Sequence, residues 1–438
     1  MNIVVIGTGY VGLVSGLGYA KLGHRVACVD VDVAKIAALD LGEVPFYEPG
    51  LRDLLREMQE QGRIVFTTDL YSVADGAEIF LIAVGTPPTA FGEVDLRAVF
   101  HVADDIGKCL DHEAIVAIKS TVPVGTNRKV LDCVREKMIA IGRENVSRCI
   151  QVASVPEFLS EGKALEDFFA PHRIVIGAEN YTTHDVMGRL HAGLPGTRIC
   201  TTLENAELIK YAANAFLATK ISFINEMACI AERVGADIQT VAHAIGLDPR
   251  IGPSFLKAGI GYGGSCFPKD VSALHQLAGL NGYDFKLLGA VIEVNNRQRD
   301  WFLRKIENRL GSVRGRKIAA WGLAFKGGTD DIRESAALDI IQRLCARGAE
   351  ISVYDPFAMT RAHGLLSDDI VFAPTAMDAA EGADALVVLT DWQEFRDVSF
   401  STLRERMVNP LIFDGRNLLA DMHLSGLGFQ YEGVGTSG

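Results

Sequence analysis

The sequence lacks the features that mark secreted, membrane-spanning and metal-binding chains. Its eight cysteines are scattered, without a CxxC pair or a cluster typical of a disulfide framework. No run of about 18 apolar residues occurs, so no membrane span is expected. The apolar start has no basic segment before it and contains several glycines, which is unlike a signal peptide. Histidine-rich tracts and the HExxH pattern are absent, so no metal site is predicted. A reducing cytoplasm is the expected location.

Positive charge is also in short supply. The chain has 43 lysines and arginines against 55 acidic residues, for a formal charge of −12 and a pI near 5.4. Such a surface repels nucleic acids and anionic membranes, so neither is expected as a partner. An anionic substrate would need a local basic pocket. The length of 438 residues allows two or three domains.

Apolar strands alternate with helical segments at both ends of the chain. Near the start, the strand candidates are NIVVIG, HRVACVD, EIFLIAVGTP, AIVAIKSTV, CIQVASVP and RIVIGA. This pattern predicts a parallel sheet covered on both faces. The same plan returns in RKIAAWGLAFKGG, SAALDIIQRLCARGA and EISVYDP, and AAEGADALVVLTDW resembles VADGAEIFLIAVGTP. The fold class predicted is α/β, with two Rossmann-like doubly wound domains.

The middle of the chain is predicted to be helical. Residues 203–234 contain no proline or glycine and are apolar on more than one face. They would form one long helix of about 48 Å. Apolar surface on several sides favours packing between domains or against a second subunit.

The first glycine-rich turn has the dinucleotide fingerprint. GTGYVG places Gly7, Gly9 and Gly12 after a predicted strand and before a helix, and Asp30 ends the next strand. These glycines would allow a tight turn, approach of a pyrophosphate, and close helix packing. Asp30 would accept hydrogen bonds from both ribose hydroxyls and repel a 2′-phosphate, which favours NAD over NADP. A glycine-rich turn of another α/β protein is the alternative. Thr86, in GTPP, lies at the edge where ligands bind, although a plain turn would look the same.

A second, degenerate copy of this turn follows in GLAFKGGTDD. It keeps Gly322 but has Ala324 at the second glycine position, and an insertion up to Ser335 lengthens the loop. A dinucleotide pyrophosphate would fit poorly there. Lys326 could attract the diphosphate of a different nucleotide, or could be a surface lysine.

Nearly the whole chain resembles the UDP-glucose/GDP-mannose dehydrogenase family. The matching stretches are GTGYVG, GTPP, KSTVPVGT, VPEFLSEG, ELIKYAANAFLATKISFINE, GYGGSCFPKD, GLAFKGGTDDIRES and FDGRN. Members oxidise the C6 alcohol of a nucleotide sugar to a carboxylate with two NAD. The resemblance implies an NAD-binding domain at 1–198, a long-helix dimerisation domain with the catalytic cysteine at 199–310, and a UDP-sugar-binding domain at 311–438. KYAANAFLATKISFINE and RIGPSFLKAGIGYGGSCFPKD are most similar to the members that act on UDP-glucose. GDP-mannose and UDP-N-acetylmannosamine are the alternative substrates.

The resemblance identifies Cys266, in GYGGSCFPKD, as the nucleophile. A thiolate there would trap the aldehyde as a thiohemiacetal, which a second hydride transfer would convert to a thioester. A small buried packing cysteine is the alternative.

Several polar residues are catalytic by the same resemblance. Lys210 would stabilise the oxyanion with help from Asn214, which lies on the same helix face; a surface ion pair between Glu207 and Lys210 is the alternative. Asp270 would activate water, or could instead cap the following helix. Thr121 would help to hold that water.

The VPEFLSEG stretch is expected to form a loop at cofactor and sugar. By the same resemblance, Glu161 would be the base for thioester hydrolysis. Glu157 would contact both ligands, or could be a first-turn helix acid after Pro156. Members usually carry asparagine where this chain has Val155, so a hydrogen bond of that asparagine is not expected here.

The resemblance also implies the ligand contacts and the assembly. The cofactor contacts expected are Gly7, Gly9, Tyr10, Val11, Gly12, Asp30, Lys35, Thr86, Thr121, Glu157 and Lys269. The substrate contacts expected are Glu157, Phe158, Leu159, Lys210, Asn214, Arg250, Phe255, Tyr262, Gly263, Phe325, Lys326 and Arg416. Arg250 would reach the site of a neighbouring subunit in a homodimer or higher oligomer, or could be a solvated arginine.

Two other classes of protein stay open. A two-electron hydroxyacid-type dehydrogenase shares the glycine fingerprint and a helical second domain, but it needs neither a cysteine nucleophile nor a third domain. A non-catalytic regulator that binds NAD or a nucleotide sugar would have no need of Cys266, Lys210 and Asp270 together.

Overall fold

The structure is a computed structural model that describes residues 1–89 and 92–436. The chain divides into two compact units, Met1–Ala213 and Asn214–Gly438. The division into three domains at 1–198, 199–310 and 311–438 stays a prediction.

The first unit is built on an eight-stranded sheet. Its strands are β1 (Asn2–Ile6), β2 (Arg25–Val29), β3 (Ile64–Thr67), β4 (Ile79–Ile82), β5 (Ile115–Ile118), β6 (Gln151–Ser154), β7 (Arg173–Ala178) and β8 (Thr197–Thr201). They lie in the order β3-β2-β1-β4-β5-β6-β7-β8. The first six are parallel, in the order of a dinucleotide-binding sheet.

Helices cover both faces of this sheet. They are α1 (Tyr10–Lys21), α2 (Val33–Asp40), α3 (Leu51–Glu60), α4 (Arg97–Cys109), α5 (Thr126–Ala140), α6 (Glu144–Ser147), α7 (Ala164–Phe169), α8 (Tyr181–Leu190) and α9 (Leu203–Val234), with a 3-10 turn at Tyr71–Val73. Ile3 and Val5 of β1 belong to the core on one face, and Val4 and Ile6 to the core on the other. Burial on both faces explains the continuous apolar runs of the strands.

Two strands, β7 and β8, run against the predicted parallel direction, because β8 pairs parallel with the reversed β7. β7 pairs antiparallel with β6, with Ser154 opposite Gly177. After β6 the chain stays at the carboxyl edge of the sheet, where it forms a loop and the six-residue helix α7. It therefore re-enters the sheet from the same edge, because no crossover returns it to the opposite edge.

The second unit repeats the doubly wound plan. Its strands are β9 (Lys317–Trp321), β10 (Glu350–Tyr354), β11 (Val371–Phe372), β12 (Ala385–Val388), β13 (Leu411–Asp414) and β14 (Gln430–Gly433). All pairs are parallel, in the order β11-β10-β9-β12-β13-β14, which matches the first six strands of the other sheet. The predicted fold class, two doubly wound α/β domains with a long central helix, is confirmed.

The helices of the second unit begin with the end of α9. The others are α10 (Ile238–Gly246), α11 (Phe267–Leu280), α12 (Lys286–Leu310), α13 (Ala336–Ala346), α14 (Met359–Ala362), α15 (Ala376–Ala379) and α16 (Phe400–Arg406), with 3-10 turns at Gln393–Arg396, Ala420–Met422 and Leu424–Leu427. The 32 residues of α9 coincide with the stretch that has no proline or glycine. Five large apolar side chains on α9 are exposed. Val234 is the last residue of the helix, and the other four recur every seven or eight residues: Leu208, Phe216, Phe223 and Ile230.

Three findings concern the features that the sequence lacks. Within residues 1–89 and 92–436, no helix combines the length and apolarity that a membrane crossing needs. All eight cysteines are free thiols. The same residues contain no cluster of histidine, cysteine and carboxylate side chains that could hold a metal ion.

Candidate active site

The glycine turn after β1 has the geometry that dinucleotide binding needs. Gly7 has φ 99°, and a Cβ there would lie 2.7 Å from the carbonyl oxygen of Ala83. A Cβ on Gly12 would lie 1.8 Å from the carbonyl oxygen of Gly7, so only glycine allows this packing. A Cβ on Gly9 would meet nothing within 4 Å. Gly9 therefore marks the open face, at the N-terminus of α1, where a pyrophosphate can approach backbone N–H groups.

Asp30, at the end of β2, holds this turn and keeps capacity for a ribose. Its Oδ2 accepts hydrogen bonds from the Thr8 N–H at 2.8 Å, from the Thr8 hydroxyl at 2.7 Å, and from the Lys35 ammonium at 3.0 Å. Its Oδ1 accepts a bond from the Asp32 N–H at 3.1 Å. Burial raises the pKa of Asp30, but the bonds from Thr8 and Lys35 outweigh it and hold the pKa below its usual value. The carboxylate is thus charged, as a ribose acceptor must be.

The structure brings Thr86 and Thr121 together at the carboxyl edge of the sheet. They follow β4 and β5, which are neighbouring strands. The Thr86 hydroxyl donates a hydrogen bond to the carbonyl oxygen of Thr121 at 3.0 Å. Both predicted residues therefore belong to one edge, as ligand binding at that edge requires.

Lys210 and Glu157 form a buried ion pair in the first unit. The Lys210 ammonium lies 2.9 Å from the Glu157 Oε1, and the two residues are 4% and 5% exposed. The Leu159 N–H donates to the other carboxylate oxygen at 2.5 Å. Burial raises the pKa of Glu157, but the charge and hydrogen bond of Lys210 outweigh it, so the pKa lies below its usual value. Glu157 is therefore a carboxylate that keeps Lys210 in place.

The structure excludes both alternative readings of these residues. The Glu207 carboxylate accepts bonds from the Gly125 N–H at 2.6 Å and the Asn127 N–H at 2.8 Å, and its partner is not Lys210. Glu157 lies in a loop, because the next helix begins only at Ala164. The surface ion pair and the first-turn helix acid are both wrong.

Lys119 is a buried charge that the sequence analysis did not single out. It follows β5 directly and is 6% exposed, and it lines a cavity together with Val155 and Glu157. Burial lowers its pKa to about 8; the nearby Lys210 ammonium adds to this effect, and Glu157 opposes it. Val155 is 1% exposed. Its apolar side chain lies at the position where members of the family that the chain resembles usually carry asparagine. A lysine directly after an all-apolar strand was the signal available in the sequence.

In the second unit, Cys266 lies at the start of a helix. It occupies the N-cap position of α11 and is half-buried, and its sulfur lies 3.5 Å from the Ser265 hydroxyl oxygen. The N-terminus of a helix favours negative charge, which is the charge of a thiolate nucleophile. The position is compatible with a nucleophile, and the assignment of Cys266 as the nucleophile stays a prediction.

Asp270 lies in the first turn of the same helix and is fully buried. It accepts hydrogen bonds from the Asn214 amide at 2.6 Å and from the Lys269 ammonium at 2.5 Å. Its own N–H donates to the carbonyl oxygen of Cys266 at 2.9 Å. Because Cys266 takes the N-cap position, the capping role considered for Asp270 is wrong.

The Arg416 side chain links the glycine loop that precedes Cys266 to two other segments of the second unit by hydrogen bonds. Its guanidinium donates to the carbonyl oxygens of Gly261 at 3.2 Å, Phe325 at 2.7 Å and Leu389 at 2.8 Å. A Cβ on Gly263 would lie 2.2 Å from a backbone oxygen of the neighbouring loop. Glycine is thus required at Gly263 by close backbone packing.

The second glycine turn resembles the first but is closed. Gly322 has φ 100°, and the Leu323 N–H donates to Asp355 Oδ2 at 2.8 Å. Ala324 and Trp392 also donate to this oxygen, at 3.1 and 3.0 Å. The other oxygen accepts two further backbone N–H groups, at 2.9 and 2.8 Å. Asp355 is thereby occupied by protein donors, which leaves it less capacity than Asp30 to accept a ribose hydroxyl.

The remaining predicted residues lie in several places. Arg250 is exposed and pairs with Asp248 through two nitrogens. Phe255 is exposed, with φ 65°. Tyr262 is buried, and the Lys326 ammonium lies 5.6 Å from the centre of the Phe325 ring. Half-buried residues of the first unit are Tyr10, Val11, Phe158, Leu159 and Glu161.

Family models match most of the chain. Residues 1–194 match the NAD binding domain of the UDP-glucose/GDP-mannose dehydrogenase family, residues 204–297 its central domain, and residues 319–421 its UDP binding domain. The first match includes the glycine turn and Asp30. The second includes Lys210, Asn214 and Cys266.

Full-length relatives agree with these matches. The chain is 46% identical over 434 residues to the UDP-glucose 6-dehydrogenase TuaD of Bacillus subtilis (strain 168), covering 99% of this chain and 93% of that protein. It is 42% identical to a UDP-glucose 6-dehydrogenase of Pseudomonas aeruginosa, covering 99% and 97%. Among solved structures it resembles a UDP-glucose dehydrogenase from Pyrobaculum islandicum, with a TM-score of 0.92, 36% identity and coverage of 100% and 98%. It also resembles a UDP-D-ManNAc dehydrogenase from Pyrococcus horikoshii, with a TM-score of 0.86, 27% identity and 99% coverage of both chains.

The glycine turn generates a paired prediction. Gly12→Ala should lower the free energy of unfolding by about 1–3 kcal/mol, because its Cβ would collide with backbone that cannot move away. Gly9→Ala should leave stability near that of the wild type but weaken NAD binding by about tenfold or more, because its Cβ would enter the open face. Urea unfolding and a titration with NADH fluorescence measure the two effects. Equal stability of the two variants would contradict the assignment.

Lys119 generates a prediction about pH. Below pH 8 the lysine is charged in both states, so the folded protein bears the full cost of burying the charge; the folded pKa is about 8. Between that value and about 10.4, the folded protein loses the proton while the unfolded chain keeps it, so stability rises with pH. As pH rises from about 7 to about 10, the free energy of unfolding of the wild type should therefore increase relative to that of Lys119→Met. Urea unfolding at both pH values measures it, with the exposed Lys129→Met as the control. A difference independent of pH would refute the prediction.

Proposed function

Because the chain belongs to the UDP-glucose/GDP-mannose dehydrogenase family, we propose that it is an NAD-dependent UDP-glucose 6-dehydrogenase, which oxidises UDP-glucose to UDP-glucuronate. The observation that carries the proposal is Cys266 at the N-terminus of α11, four residues before the buried Asp270. A two-electron dehydrogenase does not need a thiol in that position, because its reaction ends at the carbonyl compound. Four-electron oxidation needs one to retain the aldehyde.

The first oxidation converts the C6 alcohol to an aldehyde. The open face of the Gly9 turn and the Asp30 carboxylate would hold NAD, which would supply the hydride acceptor for both oxidations. The hydroxyl proton leaves to a base, and Lys210 stabilises the oxygen as negative charge develops on it. Glu157 supports this role because its carboxylate pairs with the Lys210 ammonium and orients it in a buried position.

The second oxidation proceeds on the cysteine. The Cys266 thiolate adds to the aldehyde carbon, forming a C–S bond and a thiohemiacetal. Loss of a second hydride from C6, together with loss of the hydroxyl proton to a base, gives a thioester. Water then adds to the carbonyl carbon with loss of a proton to a base, Glu161 or Asp270, and the C–S bond breaks to return the thiolate and release the carboxylate. Thr121 would help to hold the water.

The UDP group is assigned to the second unit. Its glycine turn cannot bind a dinucleotide in the manner of the first, because protein donors occupy Asp355. Lys326 supplies positive charge near the same sheet edge, and the Arg416 guanidinium donates to the Gly261 carbonyl oxygen within the loop from Phe255 to Gly263. We propose that these residues contact the UDP group.

We also propose that the protein is a cytoplasmic homodimer or higher oligomer. The exposed apolar stripe of α9, defined by Leu208, Phe216, Phe223 and Ile230, supports a partner helix at that face. Arg250 is exposed, as a residue that reaches a neighbouring subunit would be. Light scattering of the purified protein tests the assembly.

The stoichiometry of the reaction tests the proposed function. With UDP-glucose as the limiting substrate, we expect two NADH per sugar, because a primary alcohol loses four electrons on the way to a carboxylate. GDP-mannose and UDP-N-acetylmannosamine should react more slowly at equal concentration. Absorbance of NADH and chromatography of the nucleotide sugars measure both. One NADH per sugar would favour the two-electron class, and binding without turnover would favour a regulator.

Replacement of the nucleophile tests the covalent route. Cys266→Ser should lower the rate of UDP-glucuronate formation by at least about 100-fold, because a hydroxyl is a much weaker nucleophile than a thiolate. Mass spectrometry of the variant with UDP-glucose and NAD should show a stall at the aldehyde or ester level, with little free uronate. Cys345→Ser, at a half-buried cysteine on α13, is the control and should keep normal turnover. Normal turnover of Cys266→Ser would refute the covalent mechanism.

A further inference from the structure

A buried carboxylate outside the predicted site holds the loop that carries Glu161. Glu48 is 5% exposed and lies in VPFYEPG, a stretch between α2 and α3. Its Oε2 accepts a hydrogen bond from the Gly162 N–H at 2.7 Å, and its Oε1 accepts one from the Ala164 N–H at 2.7 Å. These two N–H groups closely follow Glu161 in the chain. The Glu48 carboxylate therefore fixes the backbone directly after the proposed base.

This carboxylate replaces the cap that α7 lacks. The N-cap residue of α7 is Lys163, and its side chain makes no capping bond. The first N–H groups of a helix have no partner within the helix. Glu48 supplies one from outside. The bond joins residues 114 positions apart in the sequence, so it ties two separate segments of the first unit together.

Two further contacts restrain what we call the Glu161 loop, residues 159–163. The Asp167 carboxylate accepts a hydrogen bond from the Ser160 N–H at 2.8 Å. The hydroxyl of Tyr10 accepts one from the same Gly162 N–H at 2.6 Å. Tyr10 is the first residue of α1, directly after Gly9 of the dinucleotide turn. The Glu161 loop is thus attached to the segment that meets the cofactor.

We propose that Glu48 is a positioning residue for thioester hydrolysis, and that through Tyr10 the Glu161 loop is held in register with the dinucleotide turn. The inference rests on the proposed function. Glu48 does not touch the reacting atoms. In hydrolysis, Glu161 takes a proton from water while the water oxygen bonds to the carbonyl carbon and the C–S bond to Cys266 breaks. Glu48 keeps Glu161 within reach of that water, and a small displacement is costly because proton transfer needs hydrogen-bond distance.

The Glu48→Gln variant tests this inference. It replaces one acceptor oxygen with an NH₂ group that faces a backbone donor, so the bond from either the Gly162 N–H or the Ala164 N–H is lost. Release of UDP-glucuronate should slow by about 10- to 100-fold. The first hydride transfer, measured in a single turnover, should change by less than about threefold. The thioester on Cys266 should then accumulate and be visible in the mass of the intact protein during turnover.

Two comparison variants give the result its meaning. Glu161→Gln should accumulate the same adduct, because it removes the base itself. Asn180→Ala removes the side chain that caps α8 of the same unit, through its bond from the Thr183 N–H at 2.8 Å. Asn180→Ala should lower the free energy of unfolding without accumulation of the thioester adduct, because the hydrogen bonds of Asn180 go to Gln151 and Thr183, outside the Glu161 loop. If Glu48→Gln does not fold, Glu48→Asp keeps the charge with a shorter reach and should show a smaller accumulation.

The outcomes separate this inference from the proposed function. Wild-type protein that fails to give two NADH per UDP-glucose would refute the proposed function. Wild-type turnover with equal slowing of hydride transfer and hydrolysis in Glu48→Gln, and no adduct, would show a merely structural role and overturn the inference. Absence of adduct in Glu161→Gln would overturn it as well, since Glu48 would then have no base to position.

Discussion

In both units a carboxylate at the end of the second strand holds the turn after the first strand. Asp30 accepts the Thr8 N–H and Asp355 accepts the Leu323 N–H, each at 2.8 Å. This bond fixes the backbone of the turn; in the first unit α1 begins directly after it, at Tyr10. The two carboxylates differ in their remaining capacity to accept hydrogen bonds. Asp30 can still accept one from a ribose hydroxyl, whereas protein donors occupy both oxygens of Asp355. One architecture thus provides a cofactor turn in the first unit and a structural turn in the second.

Two of the candidate catalytic charges, Lys210 and Asp270, are buried with partners. Lys210 has Glu157, and Asp270 has Lys269 and Asn214. An unpaired ion would be expensive in such surroundings, so these partners are needed before any chemistry is possible. The overall charge of −12 therefore says little about the site, because its few cations are placed inside. Lys119 is an additional cation beside the Lys210–Glu157 pair, and burial accordingly lowers its pKa.

The sequence predicted the features that depend on local pattern. Strands buried on both faces read as apolar runs, and a helix without proline or glycine was found over the predicted residues of α9. The fingerprint spacing located Gly7, Gly9 and Asp30. The direction of β7 could not be predicted, because an apolar strand has the same pattern in either direction. Glu48 was missed for a different reason: its partners lie more than a hundred positions away, and only the fold brings them together.

The central position of the first strand has a consequence for folding on the ribosome. β1 lies between β2 and β4, and Ile3 pairs with Ile79. Its second side therefore stays unpaired until β4 has been synthesised and has left the exit tunnel. Such long-range pairing slows folding and leaves apolar strand edges open to other chains. β9 has the same position between β10 and β12, so the delay occurs twice in each round of translation.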